Sequence, residues 1–406
     1  MDIKQVSGGV CAPRGFRAAG IHCGIRKGKL KNDLALIAGE ADCAAAAVYT
    51  RNLVQGAPIA VTKRHIADGH ARAVVVNSGI ANTCCAGGEE TAEEMSALAA
   101  AALGLRPEDL IVASTGVIGQ PLDLTPIRAH VGELAAKLST EGSRSACEGI
   151  MTTDTRPKEL AVEFELGGKA CRIGGIAKGS GMIHPDMATM LVFLTTDAAI
   201  APDMLQKALR GDVDRTFNML SVDGDTSTND MVCILANGLA GNAPITEEGP
   251  DFAAFMAALN SVNVALCRMI AGDGEGATRL LECSVTGAKD EKAAKTAAKS
   301  VISSSLVKAA MFGADANWGR VLCALGYSGA ELDVKKVKVD FASRAGEITV
   351  CENGAGIDFS EELAKTVLDQ DEVEIKVTLG DGDAAATAWG CDLTYEYVKI
   401  NGEYRS

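Results

Sequence analysis

Short apolar runs alternate with helical patterns along most of the chain. Residues 71–79, ARAVVVNSG, predict a buried strand that ends in a turn, and LAVEFEL at 160–166 alternates as a strand does. Residues 89–104 predict a helix, with acidic residues in the first turn and Gly104 as its stop. Residues 251–270 predict one long helix. This mixture indicates an α/β fold with mixed sheets and helices.

The last part of the chain is richer in strand patterns. KKVKVDF at 335–341 and GEITVCENG at 346–354 predict paired strands. Residues 372–402 predict a meander that turns at Gly-Asp-Gly-Asp. Residues 286–301 form the most polar helical stretch and predict a solvated surface helix.

Composition limits the kinds of partner and site. The chain has 406 residues, 47% of them hydrophobic, which is enough for a large core in two or three lobes. A net charge of −14 argues against a broad surface for nucleic acid or anionic membrane, while small cationic substrates remain compatible. The 13 cysteines show no CxxC spacing and the histidines no metal-ligand spacing. We therefore expect buried reduced cysteines, no metal and no cofactor.

The first residues and the longest apolar runs of the chain indicate where in the cell the protein is expected. The first residues, MDIKQVSGGVCAPRGF, lack the apolar core of a signal peptide. No uncharged apolar run reaches the length of about 18 residues that a membrane span needs. We expect a cytoplasmic protein.

The stretch KGSGMIHPDMATMLVFLTTD, residues 178–197, combines a glycine loop, a His-Pro-Asp turn and a strand pattern. A threonine hydroxyl can attack the preceding carbonyl when the backbone is strained, and the small Ala188 would let the Thr189 hydroxyl approach. Cleavage would give Thr189 an α-amino group with a pKa of about 8, which could serve as its base. Taken alone, however, this pattern favours an ordinary threonine at the start of a buried strand.

An oxyanion hole would be needed beside such a nucleophile. VASTGVIGQ, residues 112–120, begins like a strand and places Thr115 and Gly116 at a predicted turn. A backbone N–H and a neighbouring hydroxyl there could stabilise a developing oxyanion, although an ordinary turn has the same pattern. The glycine loop does not match a phosphate-binding loop, DGDTSTND does not match a calcium loop, and GYSGA misses the nucleophile elbow of hydrolases.

Taken together, these segments closely resemble the ornithine acetyltransferase family of arginine biosynthesis, over essentially the whole chain. The matching segments include VVVNSGIANTCCAG, ASTGVIGQPL, IMTTDTRPKE, GIAKGSGMIHPDMATMLVFLTTD, SVDGDTSTND, GDGEGATR, GADANWGR and YVKINGEYRS. The resemblance implies the self-cleaving Thr-nucleophile architecture of that family. Cleavage between Ala188 and Thr189 would give an α chain of 1–188, the oxyanion-hole lobe, and a β chain of 189–406 with a β-rich C-terminal lobe. The chains would associate as α2β2.

The resemblance also implies roles for individual residues. Thr189 would be the nucleophile, and Thr115 and Gly116 the oxyanion hole. The positions that match substrate-binding residues are Thr152, Lys178, Thr189, Glu275, Asn401 and Ser406, with Thr153 as the alternative to Thr152.

The implied reaction moves an acetyl group from N-acetylornithine to glutamate, and bifunctional members also use acetyl-CoA as donor. Lys178 could bind the substrate carboxylate and Glu275 the ornithine ammonium, or these pairings could be exchanged. Two alternatives stay open at this point. One is an amidohydrolase or aminopeptidase with an N-terminal threonine, and the other is an uncleaved protein that binds a nucleotide or phosphate.

Overall fold

The computed structural model describes residues 2–28, 30–184 and 190–403, which form two β-sheets with helices packed on them. The strands are β1 Lys4–Val6, β2 Phe16–Ile21, β3 Leu34–Tyr49, β4 His70–Ile80, β5 Leu110–Val117, β6 Lys158–Leu166, β7 Lys169–Lys178, β8 Leu191–Thr196, β9 Leu220–Ser221, β10 Met231–Ala236, β11 Leu280–Ala288, β12 Lys338–Ser343, β13 Gly346–Glu352, β14 Ala355–Gly356, β15 Glu372–Thr378 and β16 Ala384–Cys391. The α-helices are α1 Ala57–His65, α2 Gly88–Leu103, α3 Thr125–Ala136, α4 Ser143–Ile150, α5 Pro202–Val213, α6 Pro250–Ala271, α7 Glu291–Ser303, α8 Ser305–Phe312, α9 Trp318–Gly326, α10 Glu361–Leu368 and α11 Tyr395–Glu403.

The first sheet joins strands from both sides of the predicted cleavage position. Its order is β1-β6-β7-β8-β10-β3-β4-β5, with β2 paired to β3. Strands β8 and β10 are parallel, and β7 pairs antiparallel with β8. All residues of β8 and β10 are buried, as is typical of strands that are covered on both faces. Chains of 1–188 and 189–406 would therefore share this sheet.

The second sheet has the order β14-β13-β12-β15-β11-β16-β9 and contains most of the C-terminal strands. Helix α7 packs on β11 and β16 of this sheet. Helix α6 packs on β6 and β7 of the first sheet and also contacts β16. The buried side chains of α5, α6, α7 and both sheets form one continuous apolar cluster.

Helix α6 is long and apolar enough to cross a membrane by length and composition, but its position is that of a core helix. Its Phe255 and Leu259 are fully buried. Phe255 meets Phe164 of β6 edge-on, with ring centroids 6.3 Å apart. Half of the most apolar 18-residue stretch of this helix is buried inside the protein, so packing against the sheet explains its hydrophobicity.

Most predicted elements are present. The strands at 71–79 and 160–166, the helices at 89–104 and 251–270 and the C-terminal strand pair are confirmed, within a few residues at their ends. Gly104 ends α2 with φ +69°, as a glycine C-cap does. The mixed α/β fold class is confirmed.

The predicted meander at 372–402 is wrong. Strand β11 lies between β15 and β16, pairing parallel with β15 and antiparallel with β16. The Gly-Asp-Gly-Asp turn reaches across the end of β11, because the N–H groups of Asp381 and Gly382 donate to the Gly287 carbonyl at 2.8 and 3.0 Å. The last part of the segment is helix α11 instead of a strand.

The predicted helix within 286–301 is present as α7, but the expectation that it is solvated on all sides is wrong. Helix α7 buries Ala293, Ala297 and Val301 along one face, while its lysines lie on the other. Alanine is only weakly hydrophobic, so the sequence pattern does not reveal this face of the helix as apolar. Its small side chain nevertheless lets the helix pack closely on the sheet.

Candidate active site

A single cavity brings together the predicted site residues that the structure describes. Thr115, Gly116, Thr152, Lys178, Glu275 and Asn401 all line it, and so does Thr153, the alternative to Thr152. The other lining residues are Ala81, Ile118, Gly181, Met182, Met190, Leu191, Ser227, Thr228, Asn229 and Asp230. The predicted nucleophile Thr189, its neighbour Ala188 and the terminal Ser406 lie outside the described residues.

The predicted oxyanion-hole residues lie in the last residues of β5, so their placement at a turn is wrong. Strand β5 runs parallel to β4, with Gly116 opposite Gly79. Gly116 has φ +132°, a conformation that favours glycine, and a Cβ there would overlap the carbonyl of Gly79. The close approach of two strand ends therefore requires glycine at this position and places Gly116 in the cavity wall.

Asn229 ties β5, the strand that carries Thr115 and Gly116, to the residues that follow β4. Its side-chain amide donates to the carbonyls of Ala81 at 2.6 Å and Ser114 at 3.0 Å. Its oxygen accepts from the hydroxyls of Thr83 and Thr228, both at 2.6 Å. A buried amide that is satisfied in this way holds β4 and β5 against the loop before β10. No sequence pattern pointed to this role, although Asn229 lies in the matched segment SVDGDTSTND.

The chain is held firmly on both sides of residues 185–189. Lys178 at the end of β7 pairs with Leu191 at the start of β8. Met182 has φ +56°, which is uncommon for a residue with a side chain. The Asp223 carboxylate accepts the N–H groups of Met182 at 2.6 Å and of Ile183 at 2.7 Å, which stabilises this conformation. The connection thus starts from a constrained backbone and ends in the sheet.

A buried ion cluster joins the three loops that carry the substrate-binding candidates. Lys158 donates to Asp154 at 2.7 Å and to Asp273 at 2.5 Å, and all three side chains are buried. Asp154 also accepts the N–H groups of Thr152 at 2.9 Å and Gly179 at 2.7 Å. The cluster therefore fixes the chain at Thr152, next to Lys178 and near Glu275.

The charges in this cluster change the acidity of Asp154. Burial alone would raise its pKa, but Lys158 and Lys178 outweigh that effect and lower the pKa to about 2. Asp154 is therefore ionised at neutral pH, although it is fully buried. No sequence pattern pointed to a role for Lys158, Asp154 or Asp273.

Glu275 is packed between the glycine loop and the C-terminal helix. Its carboxylate accepts from the Asn401 side-chain amide at 2.7 Å, and its N–H donates to the Ser180 carbonyl at 3.0 Å. The carboxylate lies directly against Gly181, where an added Cβ would force the Glu275 side chain to move. The contact explains how helix α11 brings Asn401 to a cavity that the first sheet forms.

The titratable groups in the described wall of the cavity are Lys178, Asp230 and Glu275. Burial raises the pKa of Asp230 well above its usual range, an effect that Ser227 and Lys178 only partly oppose. One cation and two carboxyl groups suit a small substrate that carries both charges. Within the described residues, no group of histidine, cysteine and acidic side chains has the geometry to hold a metal ion.

Comparison with known proteins gives consistent matches over the whole chain. The ArgJ family model matches residues 17–406. Arginine biosynthesis bifunctional protein ArgJ of Symbiobacterium thermophilum is 53% identical over 406 residues and is covered over 100% of both chains. The protein of that name from Bacillus subtilis is 47% identical, over 100% of this chain and 98% of the relative. The crystal structure of ArgJ from Bacillus halodurans is 47% identical with a TM-score of 0.50, and covers 53% of this chain and 100% of that chain.

We predict that Gly116→Ala lowers kcat for acetyl transfer by roughly 10²-fold or more, because the new methyl group displaces the oxyanion-hole strand. Steady-state kinetics would measure the change. Gly119→Ala is the matched control, since Gly119 also has a positive φ, +77°, but a methyl group added there would have no other atom within 4 Å. Equal losses in the two variants would contradict the steric explanation.

We predict that Lys158→Met lowers the free energy of unfolding by about 3–5 kcal/mol at pH 7, because Asp154 and Asp273 lose their buried cation. The pKa of Asp154 is lowered in the folded protein, so its stabilising effect is present above pH 3.8 and lost as the pH falls toward 2. The difference between variant and parent should therefore shrink in acid.

Denaturant unfolding at pH 7 and pH 3, in an uncleaved Thr189→Ala background, would measure these differences. Lys137→Met is the control, because Lys137 is 57% exposed and pairs with Glu133, a half-exposed residue four positions earlier in the chain. That change should cost less than about 1 kcal/mol. A Lys158→Met protein as stable as the control would rule out the proposed role of the cluster.

Proposed function

The chain belongs to the ArgJ family, and we propose that it transfers an acetyl group from N-acetylornithine to glutamate through an acetylated Thr189. The observation that carries this proposal is the convergence of Thr115, Gly116, Lys178 and Glu275 on one cavity. These residues come from distant parts of the chain. They surround the start of β8, to which Thr189 is joined through Met190.

The charges of the cavity support an amino-acid substrate. Lys178 can bind the α-carboxylate that N-acetylornithine and glutamate share, and Glu275 can bind the terminal ammonium of ornithine. Asn401 contacts Glu275 directly and can orient it toward the ammonium group. One pocket then serves both acetyl donor and acceptor in turn, which fits a ping-pong reaction through a covalent intermediate.

The reaction balances with the chain's own groups. The Thr189 hydroxyl oxygen attacks the acetyl carbonyl, and its proton passes to the free α-amino group of the same residue. Thr115 and Gly116 stabilise the oxyanion. The amide bond breaks as the proton passes to the departing ornithine nitrogen. The glutamate amine then attacks the acetyl ester and releases one of its own protons, which the Thr189 α-amino group passes to the Thr189 oxygen as N-acetylglutamate leaves.

Self-cleavage between Ala188 and Thr189 is required to free that α-amino group. The crystal structure from Bacillus halodurans supports it through the length of the solved chain, which matches over its whole length yet covers only 53% of this chain. The 218 residues from 189 to 406 make up nearly the same share of the 406. Because the first sheet contains strands from both sides of the bond, the two products would stay associated. We propose an α2β2 assembly.

The same site can accept acetyl groups from a second donor. We propose that acetyl-CoA also acetylates Thr189, so that the enzyme makes N-acetylglutamate anew as well as by exchange. We place the reaction in the cytoplasm and propose that it needs no metal or cofactor, because the nucleophile, base and oxyanion hole are all protein groups.

We predict that Thr189→Ala abolishes both cleavage and acetyl transfer, because one hydroxyl performs both attacks. Intact mass spectrometry under denaturing conditions should show one chain of 41.9 kDa for the variant and chains of 1–188 and 189–406 for the parent. A Thr189→Ala protein that is still cut would refute the autocatalytic step. Consumption of N-acetylornithine that does not depend on glutamate would indicate a hydrolase instead.

We predict that Glu275→Gln raises KM for N-acetylornithine by roughly 10-fold, in line with loss of a charge-assisted contact, while KM for glutamate changes little. Initial rates with each substrate varied in turn would separate the two constants. Glu396→Gln is the control, because Glu396 lies on helix α11 with a side chain that is 60% exposed. An equal rise in both KM values would assign Glu275 to the shared part of the substrates.

A further inference from the structure

We infer that the carboxylate of Asp230 accepts the proton of the Thr189 hydroxyl in the first step of self-cleavage. This inference rests on the proposed function, because it requires the Ala188–Thr189 bond to be cut. Before cleavage the Thr189 nitrogen belongs to a peptide bond, and an amide nitrogen has no basic lone pair to offer. The base of acetyl transfer does not yet exist, so another group must take the proton.

Asp230 stands out among the carboxyl groups around the cavity. It is only 3% exposed, and its Oδ2 atom has no hydrogen-bond partner among the described residues. Buried polar atoms are almost always paired, so an unpaired carboxylate oxygen in a cavity wall suggests a partner that appears during the reaction. By contrast, the Glu275 carboxylate accepts a hydrogen bond from the Asn401 side-chain amide at 2.7 Å, and the Asp223 carboxylate accepts two backbone N–H groups. Both of these carboxylates therefore already have partners.

The strand pairing places Asp230 beside Met190, the residue that follows Thr189 in the chain. The Met231 N–H donates to the Met190 carbonyl at 2.9 Å, and Met231 pairs with Leu191 in the parallel β8–β10 ladder. Asp230 is therefore opposite Met190, the residue bonded to Thr189, at the usual strand separation of about 4.8 Å. On the other side, the Thr50 N–H donates to the Asp230 carbonyl at 3.1 Å, which fixes its backbone.

The surroundings of Asp230 make its carboxylate a better base than an exposed one. Burial raises its pKa, while a hydrogen bond with Ser227 and the charge of the β7 residue Lys178 lower it in part. Glu275 is the other charged group in the described cavity wall, and β3 contributes Tyr49, opposite Met231, followed by Thr50 and Arg51. A carboxyl group with a raised pKa is well suited to general base catalysis near neutral pH.

The step balances without any further reactant except water. The Thr189 hydroxyl oxygen bonds to the Ala188 carbonyl carbon as its proton moves to the Asp230 carboxylate. The peptide C–N bond breaks when Asp230 returns that proton to the Thr189 nitrogen, which becomes a free amine. The resulting ester is hydrolysed by water, which leaves the Ala188 carboxylate and restores the Thr189 hydroxyl. Asp230 is then ionised beside a new amine.

The test is a pulse-labelled cell-free synthesis of the full chain, followed by denaturing gels over time and over a range of pH. Asp230→Asn should slow cleavage by roughly 10²-fold or more, as expected for loss of a general base. Asp212→Asn is the matched control: Asp212 is also buried with a raised pKa, but Asn260 and Asn263 donate to its oxygens and it does not line the cavity. It should be cleaved at the parent rate.

Two outcomes would overturn the inference alone. One is parental cleavage of Asp230→Asn with a raised KM for N-acetylornithine, which would make Asp230 a substrate contact. The other is rapid cutting of Asp230→Asn by hydroxylamine, which would show that the ester forms without this carboxylate. If the parent chain itself stays intact, the proposed function fails instead.

The pH profile provides a second test that does not depend on the folding of Asp230→Asn. The parental cleavage rate should rise with pH along one ionisation. Lys178→Met should move that rise to higher pH, because it removes the positive charge that lowers the Asp230 pKa. A rate that does not vary with pH, or a profile that Lys178→Met leaves in place, would contradict the role of Asp230.

Discussion

The geometry of the site depends on the buried contact of Lys158 with Asp154 and Asp273. Burying three charges is costly, and an ion pair of this kind often contributes little to stability relative to apolar residues. What it provides here is position, because each carboxylate also accepts backbone N–H groups from a loop of the site. Apolar side chains could fill the same space, but they could not fix the orientation of those backbones. The cluster therefore explains how Thr152, Lys178 and Glu275 share one cavity.

The sheet imposes a second constraint, since the predicted cleavage position lies between two adjacent strands. Lys178 and Leu191 are paired neighbours, so the connection between β7 and β8 leaves the sheet and returns at the same level. Asp223 stabilises the unusual backbone of Met182 at its beginning. Cleavage within such a connection removes a covalent restraint without removing a strand. The β8 ladder from Leu191 onward would therefore stay intact if the predicted bond were cut.

The sequence predicted local elements well and their arrangement less well. The hydrophobic pattern located the strands at 71–79 and 160–166, because period and burial agree there. It did not locate β11 between β15 and β16, since strand pairing depends on contacts that are distant in sequence. The helical stretch at 286–301 was assigned to the surface because alanine gives a weak apolar signal, although Ala293 and Ala297 are buried.

The candidate site shows the same division. Resemblance to a family indicated Thr115, Gly116, Lys178, Glu275 and Asn401, which the fold does bring together. The residues that hold them were not predicted, because their role lies in contacts made across long sequence separations. Lys158 and Asp273 are 115 residues apart, and Asn229 and Ser114 are also 115 residues apart. A lysine in a strand pattern is usually exposed, so nothing in the pattern indicated that Lys158 lies in the interior.

Two buried aspartates near the cavity, Asp154 and Asp230, differ in their hydrogen-bond partners and in the direction in which their pKa is shifted. Asp154 faces Lys158 and Lys178, its pKa falls to about 2, and its ionised form stabilises the protein at all pH values above 3.8. Asp230 has an unpaired oxygen and a raised pKa, so the folded protein binds its proton more tightly than the unfolded chain does. The stability associated with that proton is complete below the ordinary aspartate pKa and is lost as the pH rises through the raised one. At neutral pH the fold therefore tolerates Asp230 at a cost in stability. The geometric difference is that Asp154 is paired with Lys158 and two backbone N–H groups, whereas one oxygen of Asp230 has no partner among the described residues and lies in the cavity wall, where it can act on a proton.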